Sequence, residues 1–277
     1  MLYMKVMKHL KIAMHIGWQG IVNPKAFYLH SSVFAGNEMA RRKAERHGFS
    51  RGLPETSIVG LFGQFEQMVR PYAFLGGGST AMDLALLRLL AKQHKNCSYL
   101  EIGTWRGESL ANAAQEAERC MSISLSDSMM SERGFGGPCV RTAKYYSKDL
   151  KNVEHIEANS LDYDFTPFRK SMDLVFIDGD HSYRAIVSDT RNAYSLLRNR
   201  DSVIVWHDYR KGDPEGDICW ETLAGILDGL PSSEHQHIFH VSNTLCAIFL
   251  RKPVAKCVPE VPSVPKASFS VRIEVCT

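Results

Sequence analysis

The chain predicts an α/β fold: a doubly wound, mostly parallel seven-stranded sheet closed by a C-terminal antiparallel hairpin and preceded by a helical N-terminal cap. Three observations predict it. Between residue 98 and about residue 230, short apolar runs alternate with stretches of helical periodicity, the signature of repeated βα units that build a parallel sheet with helices on both faces. The run Met172–Ile177 is apolar at nearly every position, as a strand buried on both faces should be. The runs HIFHV and TLCAIFL are separated only by Ser242 and Asn243. A parallel crossover needs about a dozen residues, so these two strands must pair antiparallel.

In chain order, Met1–Gly20 carries an amphipathic pattern broken by Lys5, Lys8, His9, Lys11 and His15, which leaves no signal-peptide core. Pro24, Gly36, Gly48, Gly52 and Pro54 divide residues 1–75 into short helices and loops, the expected cap. Within it RRKAERH, Arg41–His47, reads as one solvated face of a helix. Thr80–Lys92 opens with a Thr-x-x-Asp capping pattern and continues with a helical apolar face. Ser98–Ile102 is the first strand of the sheet, and Leu110, Ala113, Ala114 and Ala117 mark the helix after it. Met121–Leu125 and Val153–Ala158 are the next strands, with a helix expected around Thr142–Leu150. Ile186, Thr190, Ala193 and Leu197 mark a helix, Val203–Trp206 a strand, and Trp220, Leu223, Ala224 and Leu227 a further helix. Residues 76–252 thus form the main domain. Residues 253–277 form a proline-rich tail in which Phe269, Val271, Ile273 and Val275 alternate like a short strand that could pair with a second subunit, making a homodimer reasonable.

The composition limits the function. Of 277 residues, 44% are hydrophobic and 23% charged, an ordinary globular balance that excludes a disordered or fibrous chain. The net charge of +3 is too even to commit the protein to nucleic acid, and no apolar run approaches the ~18 residues needed to span a bilayer. Seven scattered cysteines without a C-x-x-C pair suit a reducing cytoplasm.

In an open α/β sheet ligands bind beyond the carboxyl ends of the strands, where strand order reverses. Four stretches lie there. In YLEIGTWRGES, residues 99–109, a strand runs into a turn with Gly103 and Gly107 and then into a helix; such glycines admit close approach to a ligand. The spacing is G-x-x-x-G, which counts against a dinucleotide pyrophosphate. FIDGDHSY, residues 176–183, puts Asp178, Asp180 and His181 after the most buried strand, where ionisable groups are costly unless they bind something, cap a helix or face water. VWHDY, residues 205–209, adds His207 and Asp208, and Asn159, Ser160 and Asp162 follow the third strand.

Taken together, ExGxxxGxS at 101–109, FIDGDHSY, IVWHDY and the closing hairpin resemble a class I S-adenosylmethionine-dependent methyltransferase with a Rossmann-like fold. Within it the set is most similar to the small-molecule O-methyltransferase branch that includes macrocin O-methyltransferase and cephalosporin hydroxylase-like proteins. The resemblance covers Tyr99–Leu250 and implies S-adenosylmethionine as cofactor. It implies a cofactor loop lined by Glu101, Gly103, Thr104, Trp105 and Gly107, with Ser109 near the methionine carboxylate. Asp127 is the acid nearest the position that holds the ribose, and Asn159 and Ser160 would approach the adenine. Asp178 would also face the cofactor. The resemblance further implies a divalent metal such as magnesium at Asp178, His207 and Asp208, although an imidazole in that set departs from the oxygen ligands magnesium prefers. His181 matches the general base, oriented by Asp178 or Asp180 where no metal binds, and imidazole titrates in the right range for that task. The acceptor would be a hydroxyl of a small molecule or saccharide.

Two other functions fit a similar sheet: an NAD-dependent oxidoreductase, disfavoured by the glycine spacing and the hairpin, and a non-catalytic cofactor-binding protein. His235, His237 and His240 are expected on an exposed strand edge and not around a metal. Gly134–Gly137, with Met129 and Met130, would form either a mobile substrate loop on the acceptor side or a plain surface loop.

Overall fold

The computed structural model describes residues 24–212, 216–258 and 267–275; the amphipathic start lies outside them. Helix α1 (Pro24–Arg46) leads through β1 (Glu55–Ser57) and α2 (Ile58–Phe62) to α3 (Ala81–Lys92). Then come β2 (Ser98–Ile102), α4 (Glu108–Ala113), β3 (Arg119–Ser124), α5 (Asp127–Glu132), α6 (Gly137–Arg141) and β4 (Val153–Glu157). The chain continues through β5 (Leu174–Ile177), α7 (Tyr183–Leu196), β6 (Val203–Trp206), α8 (Trp220–Gly229), β7 (Ile238–Ser242) and β8 (Ala247–Phe249).

The strands form one sheet in the order β1-β7-β8-β6-β5-β2-β3-β4. Every neighbouring pair is parallel except the two involving β8, which runs antiparallel to β6 and β7. This is the Rossmann-like, doubly wound sheet with its terminal hairpin, and β2 beside β5 is the switch point. An eighth strand is present because Glu55–Ser57, in the N-terminal segment, pairs with β7 through the register Glu55 with His240 to Ser57 with Ser242. The edge is extended by an antiparallel bridge between Glu55 and Cys257.

Period-two alternation splits the core in two. Val175, Ile177, Ile204 and Trp206 face one side with Ile186, Ala193, Leu223 and Leu227 of α7 and α8. Leu174, Phe176, Val203 and Val205 face the other with Leu86, Leu87 and Leu90 of α3 and Leu110 of α4. All eight residues of β5 and β6 are buried, which explains their unbroken apolar pattern. Helices α7 and α8 meet closely at two glycines: a Cβ on Gly225 would lie 2.6 Å from Ile186, and one on Gly229 would lie 2.5 Å from Thr190.

The cap on α3 follows the sequence pattern. Thr80 accepts from the Asp83 amide while Asp83 accepts from the Thr80 amide, a complete capping box. Of the basic stretch in α1, Arg41 and Arg42 pair with Glu45 and Glu38 on the surface, whereas Lys43 and His47 reach Asp228 on α8. Three local expectations are corrected. The helix expected around 142–150 lies earlier, at Gly137–Arg141, and turns follow it, because Pro138 suits a first helical turn. The alternating tail forms no strand among its described residues; Val271, Ile273 and Val275 are exposed there. His235 and His237 sit in a 3-10 turn and His240 in β7. His235 and His240 are buried, bound to the Leu227 carbonyl and to Glu55 and the Thr244 carbonyl, so they form no exposed edge.

Candidate active site

At the carboxyl end of β2, Glu101 is fully buried. Its carboxylate accepts from the hydroxyls of Tyr99 (2.7 Å), Thr104 (2.7 Å) and Ser109 (3.0 Å). Burial pushes its carboxyl up to about 7 against those hydrogen bonds, with nearby Asp178 adding to the rise. Thr104 also meets Ser122 of β3 at 2.7 Å, so the turn is pinned to two strands. The Ser109 hydroxyl therefore serves Glu101 and shapes the loop from within.

Gly103 has φ +90, and a Cβ there would lie 2.4 Å from both the Asp178 carbonyl oxygen and the Gly179 Cα. Only glycine lets the loops after β2 and β5 cross at this distance. Gly107, at φ 83, opens α4, and a Cβ would meet Ser147 at 2.4 Å. Trp105 is partly exposed and lies beneath the Arg106 guanidinium at 4.2 Å. Arg106 and Glu108 form a buried ion pair at 2.9 Å. Arg106 also binds the carbonyls of Leu75 and Gly76, and Glu108 the amide of Ala73. The segment before α3 is thus tied to the glycine loop.

Beyond β5 and β6, period two sends Asp178 and His207 to the α3 side, continuing Phe176 and Val205. His207 is buried. Its Nδ1 lies 3.1 Å from Asp178 and 3.3 Å from Asp208, while its Nε2 lies 3.4 Å from Asp83 on α3. Burial alone would lower the imidazole's affinity for protons, but the carboxylates of Asp178, Asp208 and Asp83 outweigh it and hold His207 well above its ordinary value. Asp83, wholly buried, is held below the carboxylate range: burial opposes this, and His207, the Leu245 amide and Thr80 prevail. Asp208 has φ 52, a conformation uncommon outside glycine. It points one oxygen at His207 and the other at Nε2 of His181, 3.1 Å away. The orienting partner of His181 is therefore Asp208, and not Asp178 or Asp180. Asp180 instead accepts from the Ser182 amide, and Ser182 caps α7.

The structure brings together Glu101, Gly103, Thr104, Ser109, Asp178, His181, His207 and Asp208 around the switch point. Asp127 stands apart: β3 ends at Ser124 and Asp127 is exposed on the first turn of α5. After β4, Asn159 donates to Asp162. Asp83 is the residue that sequence reasoning did not assign to the site; it is visible there only as a cap, and its second partner lies 124 residues away. Among the described residues, Asp178, His207 and Asp208 form the one group with metal-ligand spacing, their ligand atoms within 4.8 Å of one another.

Fold and site together define a doubly wound α/β protein with a glycine loop and an acid–histidine cluster at the switch point. Residues 100–209 of this chain match the family model described as a methyltransferase domain. The chain is 29% identical over 117 residues to an uncharacterized protein of Acanthamoeba polyphaga mimivirus, covering 41% of this chain and 52% of that one, so it spans about half the length of that curated relative. Among solved structures it is similar to an O-methyltransferase from Bacillus cereus in complex with SAH, at 17% identity and a TM-score of 0.41 over 65% of this chain and 82% of that one. It is also similar to spermidine synthase from Thermotoga maritima, at 19% identity and a TM-score of 0.40 over 62% of this chain and 60% of that one. No helix among the described residues is long and apolar enough to cross a membrane.

Proposed function

We propose that the chain is an S-adenosylmethionine-dependent methyltransferase that acts in the cytoplasm on a hydroxyl of a small molecule or sugar, in the branch resembling macrocin O-methyltransferase. The observation that carries this reading is the crossing of Gly103 under the Asp178–Gly179 backbone, which sets the glycine loop against the segment that carries Asp178 and, three residues on, His181, the partner of Asp208. The methyltransferase-domain match over 100–209 spans both.

Gly103, Thr104, Trp105 and Gly107 would line the sulfonium end of the cofactor, with Glu101 and Ser109 supporting the loop from within. Asn159 and Ser160 would flank the adenine, and Asp127, exposed on the helix after β3, would be the acid nearest the ribose. When bound, S-adenosylmethionine supplies an electrophilic methyl group on sulfur. The protein aligns the acceptor oxygen with that carbon. With the Asp208 carboxylate 3.1 Å from its Nε2, His181 has Nδ1 left to take the acceptor's proton as the new bond forms.

The donor set at Asp178, His207 and Asp208 also fits a divalent ion. The buried Nδ1 of His207 makes no hydrogen bond of good geometry, and Asp83 stands behind Nε2 as carboxylates stand behind metal-bound imidazoles. One nitrogen with two carboxylates suits a borderline ion better than magnesium. Such an ion would lower the pKa of the acceptor hydroxyl.

Titration calorimetry of the purified chain with S-adenosylhomocysteine and with NADH tests the reading. Micromolar binding of the first and none of the second is expected, and preference for NADH overturns it. In a screen of hydroxyl acceptors, H181N should lose about a hundredfold or more in turnover while keeping its cofactor affinity within about twofold; unchanged turnover removes His181 as the base.

A further inference from the structure

Between Phe62 and Ala81 the chain forms no helix or strand, and among the described residues Arg70–Ser79 makes no hydrogen bond from main chain to main chain. Side chains meet its main-chain groups instead. Buried Asn112 of α4 accepts from the Arg70 amide and donates to the Pro71 carbonyl, each at 2.8 Å, and Gln115 donates to the Arg70 carbonyl. Glu108 accepts from the Ala73 amide at 2.7 Å, and Arg106 donates to the carbonyls of Leu75 and Gly76, each at 3.3 Å. Gly77 then meets the Trp105 ring, where its Cβ position would lie 3.2 Å from Cζ3.

These contacts fix a register. A buried ion pair such as Arg106–Glu108 is a costly way to join two segments, and an apolar pair of similar volume can hold them as firmly. What the ions add is that each remaining donor and acceptor selects one main-chain group. The segment also carries strain: Phe74 takes φ 54, uncommon for a bulky residue, and such outliers persist where the surroundings over-determine them. Beyond Gly78 the chain enters the capping box of α3, whose Asp83 meets His207. The segment therefore runs from the glycine loop to the cluster at the ends of β5 and β6, along the α3 side of the crevice.

We infer that Arg70–Ser79 is the wall of the cofactor crevice on the α3 side, and that Arg106, Glu108 and Asn112 are positioning residues that hold this wall against Trp105 by its main chain. This rests on the methyltransferase reading. The three residues act through the wall and not by touching the ligand. Without them the wall must be ordered at each binding event, and the apparent affinity falls by the fraction of time it is in place.

The test uses the full chain, with amide hydrogen exchange at residues 72–78 and calorimetric titration with S-adenosylhomocysteine. In wild type the ligand should slow exchange there. The double variant R106M/E108L replaces both ions by apolar side chains of similar volume, so its urea midpoint should equal or exceed that of wild type. Its exchange at 72–78 should nevertheless quicken and its affinity fall about tenfold. N112A releases the other end of the wall and carries the test should the double variant not fold; it should quicken the same exchange and weaken binding about threefold. Where turnover is measured, KM for the cofactor should rise with kcat unchanged. Wild-type affinity in these variants, or no effect of the ligand on exchange at 72–78 in wild type, overturns the inference and leaves the methyltransferase reading intact. A loss of affinity that only tracks a lowered urea midpoint overturns it too, because the contacts would then serve stability alone. Failure of the wild-type chain to bind the cofactor overturns that reading and the role of the wall with it.

Discussion

At the end of β2 a buried carboxylate, Glu101, is met by three hydroxyls, whereas at the ends of β5 and β6 the carboxylates of Asp178 and Asp208 face an imidazole held from behind by Asp83. The two groups sit on the same side of the sheet, and the loops that carry them cross at Gly103. Hydroxyls satisfy a carboxyl whether or not it carries charge, so the β2 end can be closed off from water and remain rigid. The β6 end keeps charge in place by compensation, and its outermost member, His181, stays partly open to solvent. A site that must first hold a cofactor and then move a proton is served by this division: the closed side fixes geometry and the open side exchanges protons.

The largest effect that would break this contrast is at the crossing itself. A methyl group at residue 103 must displace the Asp178–Gly179 backbone, which a Cβ would approach at 2.4 Å, and must adopt φ +90. Both costs fall on backbone that cannot rotate away. Gly103→Ala should therefore weaken S-adenosylhomocysteine binding by about a hundredfold or more and also misplace Asp178, with calorimetry and near-ultraviolet circular dichroism reading the two consequences. Affinity close to wild type would mean that the loops are not held against one another.

How legible this was in the sequence differs between the two ends. The strands along the chain, the hairpin and the start of α3 could be read because each leaves a local mark: LVFI and VIVW for buried strands, two runs too close for a crossover, and Thr-x-x-Asp for the helix start. The strand Glu55–Ser57 could not, since three largely polar residues carry no alternation and become a strand only because β7 offers an edge. The partner of His181 was equally hidden. Asp208 reaches it only because the backbone turns to φ 52 after β6, and residue spacing does not record that turn. Asp83 was legible only as the capping acid of α3, and its place in the site depends on His207, which the sheet brings opposite it from 124 residues away.

The closed end makes a pH prediction of intermediate size. The Glu101 carboxyl rises from 4.5 to about 7 on folding, so between those values the folded chain keeps a proton that the unfolded chain has lost. Stability from this group is then fully present below about pH 4.5 and is lost as pH rises through 7. At about 1.4 kcal/mol per unit, the change amounts to about 3 kcal/mol. Glu101→Gln removes the titration, so relative to wild type it should gain up to about 3 kcal/mol between pH 5 and pH 8 in urea unfolding. A constant difference across that range would show that Glu101 does not carry the raised pKa, and the contrast between the two ends would lose its closed member.

The smallest effect concerns Tyr183, which ends the FIDGDHSY stretch but faces away from the cluster. Its hydroxyl donates to Asp228 at 2.6 Å and accepts from Lys43 at 2.7 Å, with the Lys43 ammonium 3.9 Å from the ring centroid. Asp228 also binds His47 at 2.7 Å, so the tyrosine fastens α1 to α8 at the very helix that His181 precedes. Tyr183→Phe keeps the ring under Lys43 and removes two hydrogen bonds among partly exposed groups that can turn to water, which should cost about 1 kcal/mol in unfolding. Cofactor affinity and turnover should be unchanged, because His181 takes its orientation from Asp208 and not from Tyr183. A drop in turnover without a matching drop in stability would mean that the docking of α1 sets the position of the base, and the open end of the site would then depend on a helix that the sequence motif does not contain.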